Sequence, residues 1–273
     1  MADCIGWVPQ ARHARNHGIK SEKATCMRGK SSLIGVLMLG GMLTVMAGPP
    51  FVTDDPEPVA LHHWEVYLFS MGQTMAGVRS GQGPAMEANY GPFQDAQLQF
   101  WIPMAYTDQD RGPVGGPRRG FGDVEVGFKY RFLHETEDLP QMAIYPQVVA
   151  PTGSEEAGLG SGHWKVLLPV WLQKGFGPWT TYGGVGWWRN PGEGNRDFLQ
   201  WGWLLQRELA DGWSLGAEVF HQDSSGTGQP AYTTWNLGFE AALVNHLQLV
   251  GSGGRVFQGP KGSQYYLGLR GTF

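Results

Sequence analysis

The chain has 273 residues, of which 42 are Gly, 18 Pro and 12 Trp; charged residues make up 16% and aromatic residues 12%. So much glycine with so little charge argues against a helical protein, because Gly weakens helices. A formal net charge of −4 leaves no broad basic surface for nucleic acid.

In chain order, the first feature is an apolar run from Leu33 to Met46, preceded by Met27, Arg28 and Lys30. It is too short and too glycine-rich for a spanning helix, and its setting predicts a cleaved signal peptide ending at Ala47. An uncleaved anchor is the alternative. Residues 1–26 match no part of a signal, so the start is expected at Met27 and residues 1–47 are read as a signal peptide with an upstream extension. Both cysteines, Cys4 and Cys26, lie in this region, so the remainder has no disulfide framework.

Residues 48–63, GPPFVTDDPEPVALHH, form an extended lead segment rich in Pro and acid. Asp54 and Asp55 are expected to make a turn before Pro56. Two adjacent carboxylates supply few of the six to eight oxygens a calcium ion needs. His62 and His63 would point to opposite faces of an extended chain, which argues against a shared metal.

From residue 64 to residue 273 the pattern has period two. The clearest segment is GDVEVGFKYRF: Val124, Val126, Phe128, Tyr130 and Phe132 share one parity, while Asp123, Glu125, Lys129 and Arg131 share the other. A slip of one residue would exchange the faces. A basic residue near the midplane of a lipid-facing surface costs roughly 2–4 kcal/mol, so the register is well determined if one face is lipid. The same alternation predicts about twelve strands, at 64–71, 85–90, 95–106, 122–134, 140–151, 163–174, 178–190, 197–209, 212–222, 231–244, 246–257 and 264–273. Segments QMAIYPQVVAP and WTTYGGVGWW fit either parity and stay open. A strand of about 10 residues at a tilt of about 45° crosses the hydrocarbon slab.

The connections alternate. MGQTMAGVRSGQGP, TDQDRGPVGGPRRG, TGSEEAGLGSGH and QDSSGTGQPAY are long and glycine-rich; GPFQ, LHETEDL, KGFG, LADG and VNH are tighter. This pattern predicts a transmembrane antiparallel up-and-down β-barrel in the outer membrane of a Gram-negative cell. The last strand, QYYLGLRGTF, carries Tyr265, Leu267, Leu269 and Phe273 on one parity. Pairing with the first strand would keep that end from fraying. These four residues also resemble the terminal signal read by the barrel-assembly machinery, although Gly271 stands where a larger residue is common.

Several stretches resemble the family of bacterial outer-membrane transporters assigned to the meta pathway of phenol degradation. They are FVTDDPEP leading into HWEVYL, then EANYGPFQDAQLQFWIP, GFGDVEVGFKYRF and YPQVVAPTG, and the terminal strand. The resemblance implies an outer-membrane barrel that acts as a channel and supplies no particular substrate.

Other chemistry is thinly represented. HQDSSG (221–226) is similar to the His and Ser of outer-membrane phospholipases, but its spacing fits poorly and a solvated loop is the ordinary reading. His134, His163 and His246 fall near strand ends, where solvation is expected. No phosphate-binding loop, dinucleotide fingerprint or zinc spacing is present, so neither cofactor nor metal is expected. The polar parity carries Glu65, Glu87, Asp123, Glu125, Glu218 and Glu240 with Lys129, Arg131, Lys165 and Arg270. These ten residues would line either a polar pore or a filled lumen, since twelve strands fall between filled eight-stranded barrels and water-holding porins. The tryptophans near strand ends read as interfacial girdles. The expected role is a passive channel or transporter for small solutes, hydrophobic or aromatic ones among the candidates, with membrane lipid, the assembly machinery and the solute as partners. The alternatives are a lipid-acting barrel enzyme and a closed structural barrel.

Overall fold

A computed structural model describes residues 49–109 and 116–273; the expected signal segment and residues 110–115 lie outside the described residues. Fourteen strand segments are found there: β1 Trp64–Met75, β2 Val78–Tyr90, β3 Ala96–Gln109, β4 Gly116–Phe121, β5 Val124–Leu133, β6 Gln141–Ile144, β7 Gln147–Ala150, β8 Lys165–Phe176, β9 Trp179–Arg189, β10 Phe198–Ala210, β11 Trp213–Gln222, β12 Tyr232–Val244, β13 Leu247–Gln258 and β14 Gly262–Thr272. All pairings are antiparallel. β1 pairs with both β2 and β14, so the sheet closes on itself.

Two barrel strands are broken. β4 and β5 both pair with β3 and are separated by Gly122 and Asp123. β6 and β7 both lie between β5 and β8, separated by Tyr145 and Pro146; Pro146 cannot donate to the ladder. With these halves joined, the fold is a closed antiparallel barrel of twelve strands.

The alternation is explained by what each face meets. On β5, Val126, Tyr130 and Phe132 are exposed while Lys129 is buried. On β11, Leu215 and Val219 are exposed while Ser214 and Glu218 are buried. The two open segments now have faces. Gln141, Ala143, Tyr145 and Val149 point inward, and Ile144 and Val148 point outward. Tyr182 points inward, and Val185 and Trp187 outward. Both were ambiguous because their inward sides also carry large apolar groups.

The connections differ from expectation in two places. MGQTMAGVRSGQGP is no loop: β1 and β2 run through it to a two-residue turn at Ala76 (φ 52°) and Gly77 (φ 86°). Positive φ at both centres matches the twist of a tight hairpin. Strand pairing outside lipid needs no apolar side chains, so this polar stretch still pairs. TDQDRGPVGGPRRG likewise extends strands at both ends, β3 to Gln109 and β4 from Gly116. The end holding Trp64 and Phe273 has the connections 91–95, 134–140, 177–178, 211–212 and 245–246, and the turn at Ala76 and Gly77 lies at the opposite end. Long connections at 151–164, 190–197 and 223–231 lie at the other end.

Candidate functional site

The barrel interior is the site, and the lead segment lies in it. The chain is joined to the end holding Trp64 and Phe273 by a bridge between Leu61 and Gly91 and by His62 N donating to Gly91 O at 2.8 Å. The Val59 N–H donates to Gln97 Oε1 at 3.0 Å. Glu57 meets Arg131 at 3.3 Å and accepts from Gln141 Nε2 at 2.9 Å. Asp54 accepts from Lys129 Nζ at 2.9 Å, with Asp55 at 3.8 Å from the same nitrogen. Farther along, the Thr53 N–H donates to Glu218 Oε1 at 2.5 Å, and Ser252 donates to the Pro50 carbonyl at 2.5 Å. The lead therefore crosses from the β3–β6 wall to the β11–β13 wall.

Local structure explains this path. Asp55 Oδ1 accepts the Glu57 N–H at 2.6 Å, a turn two residues long around Pro56. The expected turn at Asp54 and Asp55 thus exists, and it also presents both carboxylates to Lys129. Room on the far wall comes from glycine. A Cβ on Gly216 or on Gly238 would sit 2.6 Å from Phe51 Cζ, and one on Gly202 would collide with Thr53. Phe51 packs with buried Tyr182 and Leu204. Gly238→Val is therefore expected to expel Phe51 at an overpacking cost of about 1–3 kcal/mol. Limited proteolysis of the lead would show faster cleavage, and adding Phe51→Ala should slow it again.

The ten polar-parity residues are placed as follows. Arg270 lies 3.2 Å from Glu240 and 3.8 Å from Glu65, and it also donates to Gln248. Glu240 accepts from Gln206 at 2.8 Å, and Tyr67 donates to Glu65 at 2.8 Å. Glu87 accepts from Asn89 and Gln99 at 2.9 and 3.0 Å. Glu218 accepts from Thr53 and Asn236. Lys129 and Arg131 hold the lead. Asp123 holds an outer connection, Lys165 lies over the Trp188 ring at 5.9 Å, and Glu125 is half-buried on β5. Along the inner wall, aromatic groups accompany these charges: Phe69 stacks on Tyr266 at 4.9 Å and meets Trp101 at 4.6 Å.

The connection 151–164 is tied down at the outer end of the barrel. Asp123, at the break between β4 and β5, accepts from Gly153 N at 3.0 Å and from Ser161 N and Oγ at 2.7 and 2.6 Å. Arg118 donates to the Glu156 carbonyl at 3.3 Å. His163 meets Asn190 at 3.3 Å, so it is partly buried between two loops and not simply solvated. Asn190 in turn donates to the Ser225 carbonyl at 2.9 Å, tying the third loop to the other two.

At the end holding Trp64 and Phe273, Asp95 anchors Arg131 at 2.8 Å and meets His134 at 3.1 Å. Partial burial pushes the Asp95 carboxyl up, but the hydrogen bond and charge of Arg131, joined by His134, outweigh it and hold it below its ordinary value. A depressed carboxylate stabilises above its unfolded pKa of about 3.9 and loses that contribution as pH falls through the folded value. This cluster should stay intact from neutral pH to about pH 4 and loosen below it. Protease cleavage of the lead measured against pH checks this.

Among the described residues, no serine is hydrogen-bonded to His221. Its ring nitrogens meet Thr233 Oγ1 at 2.9 Å and Asp223 at 3.1 Å, while Ser224 and Ser225 bond the Gly226 carbonyl and Gln229. His62 contacts Tyr90 and His63 contacts the Leu61 carbonyl, so the pair shares no partner. Sequence reasoning missed Phe51, Thr53 and Glu57 as interior groups. The available signal was glycine on the inward parity of three successive strands, at 202, 216 and 238.

A closed twelve-strand barrel with an apolar outer band and a hydrophilic interior defines a transmembrane β-barrel of the outer-membrane type. Residues 88–267 match the family described as "Putative MetA-pathway of phenol degradation", and the chain belongs to that family. Its fold is similar to the COG4313 outer membrane channel from Pseudomonas putida F1, at 18% identity and TM-score 0.63, covering 80% of this chain and 98% of that one. It is also similar to the KdgM porin in complex with disordered oligogalacturonate, at 10% identity and TM-score 0.52 over 76% and 99% of the two chains. The translocator domain of the autotransporter NalP from Neisseria meningitidis aligns at 12% identity and TM-score 0.51, over 77% and 87%.

Proposed function

We propose that this barrel is an outer-membrane channel for small solutes, including hydrophobic or aromatic ones, narrowed from within by residues 49–61. The observation that carries the reading is the closed barrel: its outward parity is apolar, and its inward parity combines charges with aromatic walls. Glu65, Glu87, Asp123, Glu125, Lys129, Arg131, Lys165, Glu218, Glu240 and Arg270 are the pore-lining set. Ion pairs among them set a mixed potential, and Phe69, Trp101 and Tyr266 give an apolar solute a wall to follow. The likeness to channels and porins favours passive passage over a reaction. Tyr265, Leu267 and Leu269 on β14 and Phe273 just after it are exposed, and we assign them to recognition by the assembly machinery.

Liposome swelling tests the function. Vesicles holding the protein should admit small phenolic and benzoic solutes faster than protein-free vesicles, and a variant without residues 49–61 should admit them faster still. Absence of flux for every solute in both proteins would mean a closed structural barrel. Lipid hydrolysis abolished by His221→Ala would mean an enzyme.

A further inference from the structure

We propose that the outer ends of β1–β4, β13 and β14 form a docking face for the phosphate groups of a phosphorylated glycolipid in the outer leaflet. Arg79, Arg119 and Arg255 carry the face. Parity fixes their direction. Arg79 pairs in register with Asp108, one residue from the inward pair Ser80 and Thr107. Arg119 pairs with outward Tyr106, and Arg255 pairs with exposed Trp235. All three arginines are exposed. Among the described residues, none of the three forms an ion pair.

Their spacing follows from the register. Arg79, Thr74, Ser263 and Arg255 are successive partners across β2, β1, β14 and β13. Three strand spacings separate the two arginines by about 14 Å. Arg119, Tyr106 and Gly81 are likewise successive partners, and Arg79 lies two residues beyond Gly81, about 12 Å from Arg119. Between the arginines lies a flat floor. The Tyr106 and Tyr265 hydroxyls are 3.3 Å apart, and both rings cover Gly72, where a Cβ could not fit beside them.

The charge is one-sided. Among the described residues, the outward and rim positions of this sector hold Arg79, Arg119, Arg255 and Lys261 against the single acid Asp108. The acids Glu193, Asp197 and Asp223 sit in the connections around β9–β12, while Glu155 and Glu156 belong to the connection that meets β4 through Arg118, on the parity of buried Thr107 and opposite to that of Arg119. An outward guanidinium costs little at the interface and much in the hydrocarbon. Tyr106 and Tyr265 mark the interface, so the three guanidiniums stand at headgroup height. Each fork can bind a phosphate through two parallel N–H donors. The Thr74 and Ser263 hydroxyls between them add neutral donors. The proposal concerns the outer wall and is independent of whether the lumen conducts.

Detergent-purified protein would be titrated with bis-phosphorylated lipid A, with the same lipid after phosphatase treatment, and with inorganic phosphate. Binding to the bis-phosphorylated lipid should be at least about tenfold tighter than to the dephosphorylated one, with inorganic phosphate a poor competitor. The triple variant R79Q/R119Q/R255Q should lose about tenfold in affinity, and Arg255→Gln alone about threefold. The control pair R196Q/R207Q should lose less than about twofold. Heat-modifiable gel mobility identifies folded variants, and the single variant serves if the triple does not fold. Unchanged affinity in folded Arg255→Gln and triple variants, equal loss in the control, or equal binding of dephosphorylated lipid would overturn the proposal.

Discussion

Deleting residues 49–61 is expected to raise single-channel conductance by roughly threefold or more and to shift selectivity toward anions. The first effect follows from geometry. The lead reaches from Gln97 and Lys129 on one wall to Glu218 and Ser252 on the other, so it occupies the width of the lumen. The barrel itself should survive, because strand pairing starts at Trp64 and closes through β1 and β14 without help from the lead. The second effect follows from charge. Asp54, Asp55 and Glu57 leave with the segment, while Lys129 and Arg131 remain on β5 facing the enlarged passage. Planar-bilayer recordings in a salt gradient read both quantities. Equal conductance in the two proteins would show that the lead does not limit flow.

Replacing Lys129 by Met should have the largest effect among single interior substitutions. Lys129 is only 3% exposed and is the cation nearest to both Asp54 and Asp55, with the latter fully buried. Removing one partner of a buried pair leaves charge uncompensated and costs on the order of 3 kcal/mol. The lead can escape that cost by leaving the lumen, so the variant should show rapid proteolysis near residues 54–57 and raised conductance. Adding Asp54→Asn and Asp55→Asn removes the orphaned charges and should restore protection at least partly. Thermal unfolding in detergent should move less than protease sensitivity, because the barrel strands keep their partners.

Much of this arrangement was legible in the sequence for a physical reason. Lipid on one face and a hydrophilic interior on the other force period-two alternation, and Val124–Leu133 carries that signal without ambiguity. The tight turn at Ala76 and Gly77 was hidden because strands beyond the lipid slab need neither apolar residues nor a fixed parity. The lead's position was hidden for a different reason. Its partners Lys129, Glu218 and Ser252 are remote in sequence, and a Pro- and acid-rich stretch signals only irregular backbone. The glycines opposite Phe51 could have hinted at it, but glycine in a strand also marks bends and bulges. The inward arginines and carboxylates were identifiable by parity, whereas their pairing, such as Arg270 with Glu240, depends on strand register.

The measurement that bears most directly on the central claim is spin-label accessibility along β5 in lipid nanodiscs. A protein beginning at Gly48 has no native cysteine, so single cysteines at positions 125 to 132 give a clean signal. Labels at 126, 128, 130 and 132 should be relaxed by lipid-dissolved oxygen, and labels at 125, 127, 129 and 131 should not. Uniform accessibility along the segment, or alternation of the opposite phase, would contradict the barrel in which every other inference is rooted.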